Sequence, residues 1–148
     1  MSLKARINDD MKAAMRGGEK LRLGTIRMLM AAIKQREVDD RREMADADVL
    51  QIVEKLIKQR REAATQFASA SRSDLEAKET EEAAILAAYL PAALSDAEVR
   101  ALVEEAVAST GAAGVRDMGK VMNALRPKLQ GRADMSQVSG LVKARLGG

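Results

Sequence analysis

The residues best suited to chemistry lie in Met118–Ala133, which reads MGKVMNALRPKLQGRA. Lys120, Arg126, Lys128 and Arg132 fall within these sixteen residues, and Lys143 and Arg145 follow close behind. Cations in this pattern can neutralise phosphates one at a time, an attachment that depends on salt and reads little sequence. The turns at Gly114 and Gly131 would also free backbone donors near helix N-termini, which suit anions. A solvated basic face on a small helical bundle would carry the same charges, so both readings stay open. A second basic face combines Arg27 and Lys34, seven residues apart, with Lys58 and Arg61. Glu54 and Glu62, each four residues from Lys58, would instead make it an ordinary ion-paired helix surface.

The chain has no Cys and no His among its 148 residues. That excludes thiolate chemistry and disulfides, and it removes the commonest general base and transition-metal ligand. The acids Asp74, Glu76, Glu79, Glu81 and Glu82 read as the favourable first turns of a helix rather than as a metal site. No catalytic residue, cofactor or metal is expected. Phe67 and Tyr89 are the only aromatic residues. Proteins that hold single strands stack bases on several rings. A nucleic-acid partner of this chain would therefore be read by folded shape and backbone, as on tRNA.

These side chains need elements to position them. The apolar residues recur at helical spacing, and β-branched or aromatic runs are missing, which predicts an all-α protein. Ser2 caps a first helix that ends at Gly17-Gly18. A second spans about Glu19–Glu37 or beyond, and Val38–Ala45 reads as a connection. Asp46 caps a third helix to about Ala70. Ser73 and Glu76 have the capping-box spacing for a fourth, which Pro91 stops after Leu90. Ser95 and Glu98 repeat that spacing, and Val99, Leu102, Val103, Ala106 and Val107 line one face. Gly111 ends that helix. Met118–Leu125 forms the next, with Arg126 pushed extended and Pro127 as the stop. Asp134 caps the last. The expected architecture is an N-terminal domain of about four helices over residues 1–92, followed by a three-helix bundle over 93–148. The bundle is near the lower size limit for a free-standing core.

Charge follows the same division. Residues 1–45 hold 11 Lys/Arg against 7 Asp/Glu, residues 71–110 hold 3 against 9, and residues 111–148 hold 7 against 2. Basic ends suit phosphate-rich partners. Equally, the acidic and basic segments could face each other within the fold or across a dimer. No apolar run approaches the roughly 20 residues of a membrane span. The N-terminal MSLKARINDDMKAAM mixes acids into its apolar pattern, unlike a secretion signal. No membrane association and a cytoplasmic location are expected.

Several motifs together resemble the GatB/YqeY family along essentially the whole chain. They are Ile26-Arg27-Met28 with Ala32-Ile33-Lys34, Leu56–Glu62 (LIKQRRE) with Gln66-Phe67, and Arg72–Leu75 (RSDL). Tyr89-Leu90-Pro91, Asp117–Met122 (DMGKVM), Pro127-Lys128 and Gly131–Asp134 (GRAD) follow in order. Gln130 and Ser139 depart from the lysine and asparagine common there. The C-terminal part is also similar to the tail domain of the B subunit of the tRNA-dependent amidotransferase, which contacts tRNA. The resemblance implies a tRNA partner held by Lys120, Arg126, Lys128, Arg132, Lys143 and Arg145. It also implies an association with an aminoacyl-tRNA or amidotransferase-related protein, and with carbon–nitrogen ligase chemistry that uses glutamine as amido donor. The kinase-like core of that enzyme has no counterpart here, and no phosphate-cradling glycine loop is present. The expected role is thus a tRNA-associated accessory protein without catalysis of its own. A protein–protein adaptor with no nucleic-acid role is the alternative.

Overall fold

The computed structural model describes residues 1–147. Every regular element among them is helical. The chain divides at Pro91 into two units, Met1–Leu90 and Pro91–Gly148, each with its own core.

The first unit holds α1 (Leu3–Arg16), α2 (Lys20–Asp40), α3 (Asp46–Ser69) and α4 (Ser73–Ala87). α3 and α4 form an antiparallel pair, and α1 packs on α2. Fully buried Ile7, Ile26, Leu29, Val49, Val53 and Leu86 come from all four helices. Each such side chain contributes about 1.5–3 kcal/mol through burial. The Ser2 hydroxyl accepts from Ala5 N at 3.1 Å, as the sequence predicts for an N-cap. Tyr89 is buried and donates its hydroxyl to Asp10 Oδ2 at 2.7 Å, while Arg6 lies 5.0 Å over its ring. Burial first, then the bond to Asp10, hold the Tyr89 phenol well above its usual range.

Four helix ends differ from the sequence reading. α2 runs on to Asp40, so the connection shrinks to residues 41–45. Glu37 explains the extension: its Oε2 accepts from Met44 N at 2.8 Å and from Lys4 Nζ at 2.6 Å, tying the turn and α1 to the end of α2. Asp46 does not cap α3. It lies inside the helix and accepts instead from Leu3 N at 2.9 Å. The capping work at the start of α3 falls to Asp48, whose Oδ2 accepts from Ala45 N at 2.9 Å. At α4 the helix starts on Ser73 itself, so the Ser73–Glu76 capping box does not form. Ser71 takes a left-handed φ of 59°, and Arg72 turns its guanidinium to Asp74. α4 also ends at Ala87, three residues before Leu90.

Arg42 holds both oxygens of Asp48 at 2.9 and 3.0 Å. That contact, followed by the Ala45 amide, lowers the Asp48 carboxyl to about 2. A carboxyl lowered on folding stabilises the fold above its unfolded value of about 3.9, and that contribution is lost as pH falls toward 2. Carboxyl-detected NMR should place the Asp48 midpoint near pH 2. Arg42→Ala should return it most of the way to the ordinary range, and an unchanged midpoint would refute the assignment of cause.

The second unit comprises α5 (Asp96–Thr110), a 3-10 turn at Val115–Asp117, α6 (Met118–Leu129) and α7 (Met135–Gly147). Here the capping box forms as read: Glu98 N donates to Ser95 Oγ at 3.1 Å, and Ser95 N donates to Glu98 Oε1 at 3.4 Å. Gly111 supplies the left-handed φ of 67° that closes α5. Asp134 Oδ1 accepts from Ser136 N at 2.9 Å at the head of α7. Val121, Leu125, Leu129, Val138 and Val142 are almost wholly buried between the three helices.

Candidate nucleic-acid interface

The candidate segment is built on α6, and its main surprise is Pro127. The sequence predicts a stop there, with Arg126 extended. Instead α6 continues through Pro127 to Leu129, and Arg126 is helical. Only one ladder bond is missing, because Gln130 N still donates to Arg126 O at 2.9 Å across the proline. Leu125 and Leu129 sit one turn apart and are both fully buried. Their packing rewards another helical turn by more than the proline costs so near the end. The consequence for the site is geometric. Lys120, Asn123 and Arg126 now lie on the outward side of one continuous helix, opposite Val121, Leu125 and Leu129.

The six cations named from the sequence do not share one fate. Lys120 is 71% exposed and has only a loose contact, 3.9 Å, to Asp117. Arg126 is exposed and donates to Asn123 Oδ1 at 2.9 Å. Lys143 is exposed on α7 and makes no ion pair among the described residues. These three keep their charge available. The other three are engaged. Lys128 meets Glu105 at 3.2 Å and Arg145 meets Glu104 at 2.7 Å, so two neighbouring acids of α5 join it to α6 and to α7. Surface pairs of this kind are worth about 0–1 kcal/mol each, but they remove two charges from the grip. Arg132 donates from Nε to Ala92 O at 3.2 Å, and its own carbonyl accepts from Leu94 N at 2.9 Å. It fastens residues 92–94 to the bundle.

At the head of α7, Asp134 Oδ1 already takes the Ser136 amide. Asp117 Oδ2 accepts from Ala113 N at 3.0 Å, in the loop ahead of the 3-10 turn, and that bond leads the causes that lower the Asp117 carboxyl; α6 itself begins without a side-chain cap. Glu104, Glu105 and Asn123 escaped the sequence reading because nothing local marks them. Only the block of acids at 71–110 facing the block of bases at 111–148 hinted at such pairing. Arg100 and Arg116 were also passed over, and both are exposed without an ion pair among the described residues.

The second basic face is split between two helices, with Arg27 and Lys34 on α2 and Lys58 and Arg61 on α3. All four are exposed, and none forms an ion pair among the described residues. Arg27 donates weakly to Met15 Sδ at 3.7 Å. Among the described residues no group of three or more acidic side chains could hold a metal ion, and no helix is long and apolar enough to cross a membrane.

Comparison with known proteins agrees with the motifs. The family model for Yqey-like protein matches residues 4–146. Relatives named "Altered inheritance of mitochondria protein 41, mitochondrial" share 38% identity over 89 residues in Eremothecium gossypii and 39% over 86 residues in Kluyveromyces lactis. These matches cover 60% and 57% of this chain, and 49% and 46% of the relatives. The chain thus spans about half the length of these two curated relatives. A protein of the same name from Pyrenophora tritici-repentis is 30% identical over 146 residues, covering 96% of this chain and 80% of its own. The names assign those relatives to mitochondria, where the sequence pattern here led to a cytoplasmic expectation. With the match running from the first turn of α1 to the last turn of α7, the chain belongs to the YqeY-like protein family.

Proposed function

We propose that this protein is a tRNA-associated accessory factor, without catalysis of its own, that holds folded RNA by its phosphate backbone through the second unit. The observation that carries the reading is the outward face of α6, where Arg126 stands exposed without an ion pair among the described residues and Lys120 is exposed with only the 3.9 Å contact to Asp117, with Lys143 likewise open on α7. The resemblance of this unit to a tRNA-contacting tail domain supports tRNA over other polyanions. The association with an aminoacyl-tRNA or amidotransferase-related protein, and the link to glutamine-dependent amidation, belong to the same proposal. It works in an aqueous compartment, which for the relatives is named as the mitochondrion.

Filter binding of bulk tRNA across a salt series tests this. Binding should be micromolar or tighter at low salt and fall steeply as salt rises. Replacing Lys120, Arg126 and Lys143 together with Ala should flatten the plot of log affinity against log salt by about 2 units, since each phosphate contact contributes about 0.7–0.9. An unchanged slope would sink the proposal. One observation favours the adaptor reading instead: Glu104 and Glu105 already neutralise two of the six cations. Protein partners recovered from lysate after nuclease treatment, with no RNA in the untreated sample, would establish that alternative.

A further inference from the structure

A cleft between α1 and α2 is lined by Lys4, Ile7, Met30, Ile33, Lys34 and Glu37 and has a volume of about 200 Å³. Its floor is hydrocarbon from Ile7, Met30 and Ile33. Its rim is charged and unbalanced. Glu37 stands three residues from Lys34, a separation at which helix side chains commonly pair. That pairing does not occur, because Glu37 Oε2 is committed to Lys4 Nζ at 2.6 Å and to the amide of Met44 at 2.8 Å. The carboxylate is held by the turn it organises, and Lys34 acts on it only through space, as the smallest of the effects that lower it. Two cations and one carboxylate therefore border the hydrocarbon, which leaves the rim net positive.

We infer that this cleft binds a short, branched aliphatic carboxylate, with its hydrocarbon on Ile7, Met30 and Ile33 and its carboxylate on Lys34. Size and charge both select this class. An apolar cavity of about 150 Å³ accommodates benzene, so about 200 Å³ suits a ligand of about seven non-hydrogen atoms. A net positive rim favours a monoanion over a neutral or zwitterionic molecule of the same shape, and the apolar floor strengthens the contact by excluding water around it. The same chemistry occurs in a free acid and in the C-terminal aliphatic residue of a polypeptide. The site lies in the first unit and does not depend on RNA binding by the second.

Two-dimensional amide NMR on the full chain, titrated at constant ionic strength without RNA, tests the inference. Sodium isovalerate should shift amides around residues 4–7 and 30–37 with a Kd of about 1 mM, as expected for so few atoms. Isovaleramide, which keeps the shape without the charge, and acetate, which keeps the charge without the branched chain, should each bind about tenfold more weakly. Lys34→Gln should weaken isovalerate about tenfold, and the exposed Lys12→Gln on α1 should leave it unchanged. N-acetyl-leucine binding more tightly than isovalerate would assign the site to a chain end, and weaker binding would assign it to the free acid. Equal binding of isovalerate and isovaleramide, or an undiminished affinity in Lys34→Gln, would overturn the inference.

Discussion

Replacing Leu125 with Ala is expected to unfold most of residues 91–148 at moderate temperature. Leu125 is 0% exposed at the centre of the second core, between Val121 and Leu129 on its own helix and α5 and α7 beside it. Truncating such a leucine costs about 2–5 kcal/mol, part lost transfer energy and part cavity. A unit of this size has only about 3–9 kcal/mol in total. Its three helices have 15, 12 and 13 residues, too short to hold without one another. The damage should therefore spread through the unit rather than stay local. Amide NMR would show peaks from α5, α6 and α7 collapsing together toward random-coil positions. A variant whose second-unit peaks stay dispersed, with a melting point lowered by less than about 2 °C, would contradict this picture of the core.

Glu82→Ala should be the most damaging polar substitution in the first unit. Glu82 on α4 lies 3.4 Å from Arg60 Nε on α3, and each side chain is only 15% exposed. Arg60 also rests against the sulfur of Met28 on α2. The Arg60 Nε is buried without a well-directed hydrogen bond, so the pair is held by charge more than by geometry. Removing the acid leaves a half-buried guanidinium with no counter-charge, at a cost of about 2–4 kcal/mol. Such pairs are often no more stable than hydrocarbon of the same shape. The double variant Arg60→Met with Glu82→Leu should accordingly recover most of the loss, its new side chains packing on Met28. Urea midpoints for the single and double variants decide the matter. A single variant within about 0.5 kcal/mol of the parent would show that the pair contributes little, and a double variant worse than the single would show that it contributes directional bonding.

How much was legible in the sequence depended on the range of the interaction. Ser2, Gly111 and the Ser95–Glu98 box act within one turn, and all three form as read. Ser73 and Asp46 carry the same local signal and fail: Asp46 turns to a tertiary partner, Leu3, 43 residues away, and at Ser73 the left-handed Ser71 starts the helix one residue early. Pro127 fails for the related reason that burial of Leu129 outweighs a local preference. In the candidate site, the residue types were legible and their state was not. Lys128 and Lys120 look alike in the sequence, yet one faces Glu105 on α5 and the other faces solvent. Arg132 read as part of the grip and serves instead as a fastener through the Ala92 carbonyl. The outcomes at Asp46, Lys128 and Arg132 rest on partners more than twenty positions away, beyond the reach of periodicity or capping rules.

The division at Pro91 also sets an order of events during synthesis. The contacts that build α1 to α4 are complete within the first ninety residues, and the first core needs nothing that comes later. Ribosomes add about 5–20 residues per second, so the last 58 take about 3–12 s. Helical units with mostly local contacts fold in microseconds to milliseconds. The first unit can thus settle while the basic helices are still being made. Those helices emerge last, with Glu104 and Glu105 of α5 preceding the Arg145 and Lys128 they will neutralise. A nascent chain beside ribosomal RNA thereby has an internal counter-charge ready before each of these cations appears.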